Sequence, residues 1–378
     1  MRADVAIVGA GITGLSIAFH LADRQAGRIV VYERAGIGAG ASGVQPGGVR
    51  QQWGTRVNCL MARDSLAFYR DLRDRLDARA DPRFRPCGYL FLADADRTLA
   101  RLRSDVELQN GLGIPSRVVD PEEAAEVAPG LRPEATLGGS FCAEDGYFDR
   151  PQAVVEAFAE AAQRLGVAIE RAEVVALEPI RGGWRQRFAD GTATEAGAVV
   201  VAASTDSQAL LRALGFDLPI EGEERHLFYS EPVAERLLDP LVVAADRRFA
   251  AKQLADGRLL ASDLSATGNA DDGRERWRDH VRRNVIELLP RLELVALPLL
   301  VGGLYDVTPD NQAALGPVPG QERLVVAAGF SGHGFMMAPE VGRAVAAMLL
   351  GEDPGSGITE LRPDRFERGA LIPESQVV

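Results

Sequence analysis

The sequence predicts an α/β protein in which a discontinuous dinucleotide-binding domain packs against a second domain with a mixed or antiparallel sheet. Strand, glycine turn, helix and strand follow one another at the start of the chain. A second glycine-rich turn, at residues 329–334, precedes another helical pattern, and the stretches between carry the alternating patterns of sheet strands. With 378 residues, 46% of them hydrophobic, the chain is long enough for two domains with proper cores.

The charge balance and the cysteines limit the possible partners. The chain has 42 basic and 54 acidic residues, a net charge of −12, which argues against nucleic acid or an anionic membrane. The cysteines Cys59, Cys87 and Cys142 form no CxxC pair, so no metal site or disulfide framework is expected. No apolar run is long enough to span a bilayer, and the chain enters an apolar strand at Val5 without a leader-like segment. We therefore expect a cytoplasmic protein.

The first motif is a Gly-x-Gly-x-x-Gly turn between the apolar run at residues 4–8 and a helical pattern. Gly9 permits the tight turn, Gly11 lets a pyrophosphate approach the backbone, and Gly14 lets the helix pack on the strand. The helix N-terminus attracts phosphate, and Glu33, at the end of the second strand, suits a ribose hydroxyl. The motif predicts a dinucleotide site formed by Gly9, Ala10, Gly11, Ile12, Thr13, Gly14, Glu33 and Arg34.

A second stretch of glycine and small residues, 36–50, follows directly. NAD binding does not need it, whereas it suits a longer cofactor whose ring system lies along the backbone. Here the chain resembles the flavoenzyme family of D-amino-acid oxidase, glycine oxidase and sarcosine oxidase. It is most similar to the branch of sarcosine oxidase beta-subunit-like and sarcosine or dimethylglycine dehydrogenase-like proteins. The resemblance implies an FAD-binding Rossmann-like domain of the glutathione-reductase type, with contacts from Ala41, Ser42, Gly43, Gln45, Gly47, Gly48 and Val49.

The C-terminal part carries a second motif of the same family. Residues 303–310 resemble its Tyr-Asp-x-Thr-Pro-Asp signature, and the strand Leu324–Ala328 leads into the glycine turn. Helical spacing is clear from Pro339 onward. In the family this turn faces the pyrimidine end of the flavin, where amides and a helix dipole stabilise negative charge. The resemblance implies contacts from Gly303, Gly329, Ser331, Gly332, His333, Gly334, Phe335 and Met336.

The middle of the chain supplies the adenine side of the predicted cofactor site. Pro151–Leu165 has helical spacing, and by resemblance Val174 contacts the adenine through its backbone. The strand Ala198–Ala203 continues into Ser204, where the family has Ala-x-Gly followed by an aromatic residue. That departure leaves the contact of Ser204 open, while the strand brings Ala202 and Ala203 to the site.

We assign residues 1–85, 146–215 and 303–378 to the FAD-binding domain and residues 86–145 and 216–302 to the substrate-binding domain. One amphipathic helix is expected in the first domain, at Arg63–Arg85. The patterns of the second domain predict strands and helices at Gly88–Ala93, Arg97–Gln109, His226–Ser230, Leu241–Ala245, Leu259–Ser262 and Asp279–Leu289.

The resemblance implies oxidation of a C–H bond next to an amine nitrogen, with a hydride equivalent passing to flavin N5 and the imine hydrolysing in water. Arg50 is a candidate for holding an anionic substrate, because guanidinium pairs bidentately with carboxylate; contact with flavin or a structural carboxylate is the alternative. Tyr305 lies by resemblance at the substrate face, unless it is a core tyrosine. His333 lies between two glycines at a helix start. We expect it to act through its backbone amide or as a local helix cap, with side-chain catalysis as the alternative.

Two further candidates come from the substrate domain. His226 lies on a strand that the family places over the active site, and Tyr229 has the opposite side-chain parity, so both cannot face inward on a regular strand. Lys252 is the only lysine of the chain. Monomeric sarcosine oxidases use a flavin-side lysine for reaction with oxygen, but the aligned stretch Gly257–Asp263 contains none. Lys252 can take the place of that lysine only if the alignment has a gap or the strand is bent. Without it, we expect an electron acceptor other than oxygen.

Three departures from the family refine this reading. Residues 303–305 lack the cysteine, and residues 42–48 lack the histidine, through which relatives attach flavin, so we expect noncovalent FAD. Met336 stands where monomeric sarcosine oxidases have a carboxylate-binding lysine, which leaves the substrate open.

The alternative functions are a flavin-dependent 2-hydroxy-acid or polyol dehydrogenase, or a flavoprotein subunit of a larger electron-transfer complex. An oligomer is possible, and an NAD-dependent dehydrogenase would leave the C-terminal motif without a purpose.

Overall fold

The computed structural model describes residues 2–355 and 357–376, which form three sheets with helices packed around them. In chain order the strands are β1 Ala3–Val8, β2 Ile29–Glu33, β3 Gly48–Val49, β4 Phe84–Arg85, β5 Tyr89–Leu92, β6 Arg117–Val119, β7 Gly139–Cys142, β8 Gly146–Phe148, β9 Ala168–Arg171, β10 Val174–Ile180, β11 Gly183–Phe188, β12 Ala193–Val201, β13 Glu221–Tyr229, β14 Leu241–Ala244, β15 Phe249–Gln253, β16 Leu259–Asp263, β17 Leu299–Val307, β18 Ala314–Pro317 and β19 Leu324–Ala328. The helices are α1 Ile12–Asp23, α2 Ala41–Val44, α3 Arg56–Arg70, α4 Leu72–Arg75, α5 Asp96–Gly111, α6 Pro121–Val127, α7 Pro151–Arg164, α8 Asp206–Arg212, α9 Ala270–Leu288 and α10 Gly334–Leu350.

The first sheet has the strand order β10-β11-β12-β1-β2-β9, and β19 joins β12 and carries β18. β1 lies between β2 and β12 and runs parallel to both, while β12 also runs parallel to β19. Helices α1, α7 and α10 pack against this sheet in one large hydrophobic core. A second core takes up the alternate strand residues, such as Val8, Val30 and Val199. Both faces of these strands are therefore buried, which accounts for their continuous apolar sequence. The α/β class is confirmed.

The second sheet has the order β17-β13-β16-β15-β14-β5-β7-β6, in which only β14 and β5 pair in parallel. It is therefore the mixed sheet that the sequence predicts. α9 covers it through the buried residues Trp277, Val281 and Val285. A small third sheet has the strand order β3-β8-β4.

Two predicted boundaries differ from the structure. α9 begins at Ala270 rather than Asp279, because the Asn269 side chain accepts a hydrogen bond from the Asp271 amide at 2.8 Å and caps the helix there. The division at residue 303 falls inside β17, which pairs with β13 along its whole length. No helix in the described residues is both long enough and apolar enough to cross a membrane.

The predicted helix Arg63–Arg85 is wrong in its limits. α3 begins earlier, at Arg56, α4 ends at Arg75, and the chain then runs irregularly to β4. Asp77 has a φ of +42°, which ends the helical path, and Pro82 disfavours helical backbone at the residue before it. The predicted inward face is nevertheless buried, at Leu66, Tyr69, Leu72 and Leu76.

α10 begins five residues before Pro339, so that this proline lies inside the helix. A proline has no amide to donate to the carbonyl four residues earlier, here that of Phe335. The Tyr69 hydroxyl, from α3, donates to this carbonyl instead. Both residues are buried, and the phenol thereby satisfies the acceptor that the proline leaves free.

Replacing Tyr69 by phenylalanine should lower the free energy of unfolding by about 1–3 kcal/mol, because the buried Phe335 carbonyl loses its partner. In a Pro339→Ala background the restored amide can bond to that carbonyl, so the same replacement should cost less. Denaturant unfolding of the four proteins measures the coupling. Tyr229→Phe is a control, since no hydrogen bond joins the Tyr229 hydroxyl to another described residue. Equal costs in both backgrounds would show that the Tyr69 hydroxyl does not stand in for the amide that Pro339 lacks.

Candidate active site

A cavity of about 670 Å³ lies between the first and second sheets, within the usual range for cofactor and small-molecule sites. Its walls come from the carboxyl ends of β1 and β2, the start of α1, the 39–50 loop, strands β13, β15, β16 and β17, and the start of α10. The five predicted catalytic residues all line it: Arg50, His226, Lys252, Tyr305 and His333.

The N-terminal glycine motif has the close packing expected of it. Gly9 has a φ of +109°, and a Cβ there would lie 2.4 Å from the carbonyl oxygen of Ala202. A Cβ on Gly14 would lie 2.0 Å from the Gly9 carbonyl oxygen. Glycine is thus required at both positions for α1 to start directly against β1.

The start of α1 faces the cavity with no acidic residue in its first turn. The Ser42 hydroxyl accepts a hydrogen bond from the Ile12 amide at 3.0 Å, which joins the 39–50 loop to the helix. The Glu33 carboxylate accepts from the Ala10 and Ala35 amides at 2.9 and 2.8 Å. It is therefore fixed at the cavity edge, with lone pairs left for ribose hydroxyls.

The start of α10 forms the opposite part of the cavity, again with no acid in its first turn. Asp306, next to Tyr305, holds the preceding turn, since its carboxylate accepts from the Gly329 and Phe330 amides at 2.8 and 3.2 Å. Burial raises the pKa of Asp306, and these amides oppose that shift by favouring the charged form. Two helix N-termini and the fixed Glu33 carboxylate in one cavity fit a dinucleotide with an electron-rich ring.

Most predicted cofactor contacts line the cavity, including Arg34, Ala41, Gln45, Gly48, Val174, Ala202, Ala203, Gly303, Gly334, Phe335 and Met336. Seven predicted contacts lie behind the wall: Ala10, Gly14, Gly43, Gly47, Val49, Gly329 and Ser331. They shape the site instead. For example, a Cβ on Gly43 would lie 2.4 Å from the Gly38 carbonyl oxygen, and the Val49 side chain is fully buried in the core.

Ser204 lines the cavity although the sequence departs from the family there. Its φ of +52° lies in the left-handed region that glycine favours. Serine therefore bears a conformational cost at this position that glycine would avoid.

Arg50 is 1% exposed, and its guanidinium donates to the carbonyl oxygens of Gln52 and Gln376. It also lies over the Trp53 ring, 3.5 Å from the ring centroid. Among residues 2–355 and 357–376, no carboxylate forms an ion pair with it. Burial lowers the pKa of Arg50, opposed by Tyr89, Glu374 and Asp145 at longer range. The alternative of a structural carboxylate partner is therefore wrong for the described residues.

The two histidines differ in their partners. His226 Nε2 lies 2.8 Å from the Gly268 carbonyl oxygen, the ring stacks on Trp277, and its buried Nδ1 has no partner in the described chain. Tyr229 does not line the cavity, in agreement with the strand parity. His333 packs edge-on against Trp53, and burial lowers its pKa well below the usual value, so its imidazole is neutral. Its side chain makes no helix cap.

Lys252 reaches the cavity from β15, paired directly opposite Leu260 of β16. It is thus beside the stretch that aligns with the family's lysine. Its amine donates to the Pro46 carbonyl oxygen and lies 4.6 Å from the centre of the Tyr147 ring. Burial lowers the pKa of Lys252 to about 7.

Two tyrosines occupy spaces that two glycines leave open. A Cβ on Gly332 would lie 2.3 Å from the Tyr305 ring, and a Cβ on Gly48 would lie 2.3 Å from the Tyr89 hydroxyl. Both tyrosines line the cavity and interact electrostatically with Arg50. Sequence reasoning missed Tyr89 because it reads as an ordinary strand residue. Trp53 and Phe249 do not line the cavity and are fully buried in the core.

The fold and cavity are those of an α/β protein with a dinucleotide-binding motif and a second, mixed sheet. The chain belongs to the FAD dependent oxidoreductase family, whose sequence profile matches residues 4–348. It therefore uses FAD, and it is of the amino-acid oxidase and dehydrogenase type.

The relatives agree with the predicted resemblance. The chain is 28% identical over 399 residues to FAD-dependent oxidoreductase domain-containing protein 1 of Bos taurus, over 92% of this chain and 81% of that protein. It is 25% identical over 382 residues to sarcosine oxidase subunit beta of Rhodobacter capsulatus, over 99% and 91% of the two chains. The crystal structure of L-proline dehydrogenase from P. horikoshii superposes with a TM-score of 0.90 at 26% identity, covering 98% of this chain and 99% of that one.

Noncovalent FAD is expected, because none of the three cysteines lines the cavity and the 42–48 loop has no histidine. Precipitation with acid, or unfolding in guanidinium, should release all yellow colour into the supernatant. Absorbance of the supernatant and of the washed protein measures the two fractions. Flavin that stays on the denatured chain would identify a covalent bond, with His226 and His333 as the first positions to check.

Proposed function

We propose that this protein oxidises an N-substituted or cyclic amino acid, or a related amine, at the carbon next to nitrogen. The single observation that carries this proposal is Arg50, a buried guanidinium that lines the cavity without an ion-pair partner among the described residues. A buried cation is costly unless it is paired. A substrate carboxylate provides the missing charge.

The surroundings of Arg50 favour such an anion. Two of its donors are committed to carbonyl oxygens and its face is stacked on Trp53, so the direction of the remaining donors is fixed. His333 is neutral and does not add a second positive charge beside it. The hydroxyls of Tyr89 and Tyr305 belong to the same part of the cavity and can donate to the second carboxylate oxygen.

The substrate amine must lose its proton before oxidation. FAD, when bound, would supply the oxidising power for the carbon next to nitrogen, and the imine product would be hydrolysed by water to a carbonyl compound and an amine. The unpartnered Nδ1 of His226 can accept a hydrogen bond from the amine, and the aromatic Trp277 beneath it holds the ring in place. Two similar proteins are a sarcosine oxidase subunit beta and an L-proline dehydrogenase, and both names support secondary amines as the substrate class.

Anaerobic bleaching of the flavin should occur with secondary amino acids such as sarcosine and proline and be at least tenfold weaker with their methyl esters, since the ester lacks the carboxylate for Arg50. Stopped-flow absorbance measures the rate for each member of the panel. Bleaching by 2-hydroxy acids alone would replace this proposal with a hydroxy-acid dehydrogenase. No bleaching by any member would favour a subunit that needs a partner chain.

The Arg50→Met variant should lose the preference for acid over ester while still binding FAD. Arg212→Met is a matched control, because Arg212 pairs with Asp217 at 2.7 Å on the surface and does not line the cavity. A preference that persists in Arg50→Met would assign carboxylate binding to other groups.

Lys252 is proposed to promote the reaction of reduced flavin with oxygen. Oxygen gains negative charge as it is reduced, so the protonated amine is the active form, and it loses its proton as the pH rises through about 7. The oxygen rate constant should therefore fall above that pH, and Lys252→Met should lower it at least tenfold at pH 6. Reoxidation by an organic dye, measured in the same way, should be much less affected. Unchanged oxygen kinetics would indicate a dehydrogenase with another acceptor.

A further inference from the structure

Residues 371–376, called here the C-terminal strap, cross the surface of the first domain and reach the Arg50 region. The beginning of the strap is bound to Asp310, which forms a buried ion pair with Arg365 at 2.9 Å. The carboxylate of Asp310 accepts a hydrogen bond from the Ile372 amide at 3.1 Å. The backbone carbonyl oxygen of Asp310 accepts one from the Glu374 amide at 3.0 Å. The strap is thus fastened at its beginning to a rigid charged pair.

Glu374 is 3% exposed and lies at the start of α3. Its carboxylate accepts hydrogen bonds from the Gly54 amide, the Thr55 amide and hydroxyl, and the Asn58 side chain, at 2.8–3.1 Å. Thr55, the residue at the cap position, makes no side-chain cap of its own. Glu374 therefore caps α3 from more than 300 residues away in sequence, where the helix dipole also favours its charge.

The next residues connect this cap to Arg50. The Gln376 amide donates to Glu374 at 2.8 Å, the Gln376 side chain donates to Asp105 at 2.7 Å, and the Ser375 carbonyl accepts from Arg101 at 3.0 Å. The Gln376 carbonyl oxygen, so fixed, accepts from the Arg50 guanidinium. The strap thereby holds both ends of the segment that carries Arg50 and Trp53.

We propose that the C-terminal strap orients the Arg50 guanidinium for the substrate carboxylate, with Glu374 as the positioning residue. This inference rests on the proposed carboxylate-bearing substrate. Glu374 touches neither the cavity nor the reacting atoms, and it acts through the backbone of Gln376 and the 50–55 segment. Specificity for an acid over its ester is then set partly by the last residues that the structure describes.

The test measures binding rather than turnover. Tetrahydro-2-furoate has the size and carboxylate of proline but an ether oxygen in place of nitrogen, so it cannot form an imine. Titration of the FAD-loaded protein with it, and with its methyl ester, is followed by the flavin visible spectrum. We expect Glu374→Ala to raise the Kd for the acid about tenfold and to leave the Kd for the ester and the FAD content unchanged.

Asp246→Ala is the matched control. Asp246 also receives the amides at a helix start, those of Asp94 and Ala95 before α5, together with the Thr98 hydroxyl, and it does not contact Arg50. Its replacement removes a comparable cap and should change neither Kd. Glu374→Gln keeps the volume and one acceptor oxygen, and it should give an intermediate Kd for the acid.

An unchanged Kd for the acid in Glu374→Ala, or equal weakening for acid and ester, would overturn the inference. Failure of both Glu374 variants to fold would do the same, because the strap would then be only a folding element. Absence of acid binding by the unchanged protein would overturn it as well. A wrong proposed function shows itself differently, as flavin that amines fail to bleach while the acid still binds.

Discussion

The site depends on one constraint: two helix N-termini, separated by more than 300 residues in sequence, must open into the same cavity. Parallel pairing satisfies it, because β1 lies beside β12 and β12 lies beside β19, and each outer strand leads into its own helix at the same sheet edge. α1 and α10 then pack closely, and a Cβ on Gly342 would lie only 2.3 Å from the Ser16 hydroxyl. The fold thus directs two partial positive charges into one cavity, which suits an anionic cofactor.

The two ends of the cavity present different chemical groups. The proposed cofactor end presents backbone amides and a fixed carboxylate, whereas the proposed substrate end presents the buried side chains Arg50, His226, Lys252 and Tyr305. Two of these are cationic groups whose pKa burial lowers, and both donate to backbone carbonyls. Carbonyl dipoles stabilise a charge without neutralising it. The site therefore keeps positive charge available for an anion that enters later.

Local signals carried most of the sequence-based expectations. The glycine spacings and the acid at Glu33 predicted the dinucleotide domain, and the five catalytic candidates all reach one cavity. The contacts that sequence reasoning missed join residues that are far apart in the chain. Nothing near Pro339 indicates that Tyr69 supplies the missing hydrogen bond, and nothing near Glu374 indicates that it caps α3. The same holds for Tyr89, whose place is set by the absence of a side chain at Gly48.

The glycines show why such contacts escape local reasoning. In a motif, a glycine is first taken as a point where the cofactor approaches the backbone, yet Gly48 and Gly332 are also the spaces into which Tyr89 and Tyr305 fit. A side chain at either position would displace a tyrosine as well as narrow the cofactor site. The same small residues therefore couple the two ends of the cavity. A substitution there would change substrate recognition and cofactor binding together, whereas a change in the strap would act on the segment that carries Arg50 and Trp53 and on the start of α3.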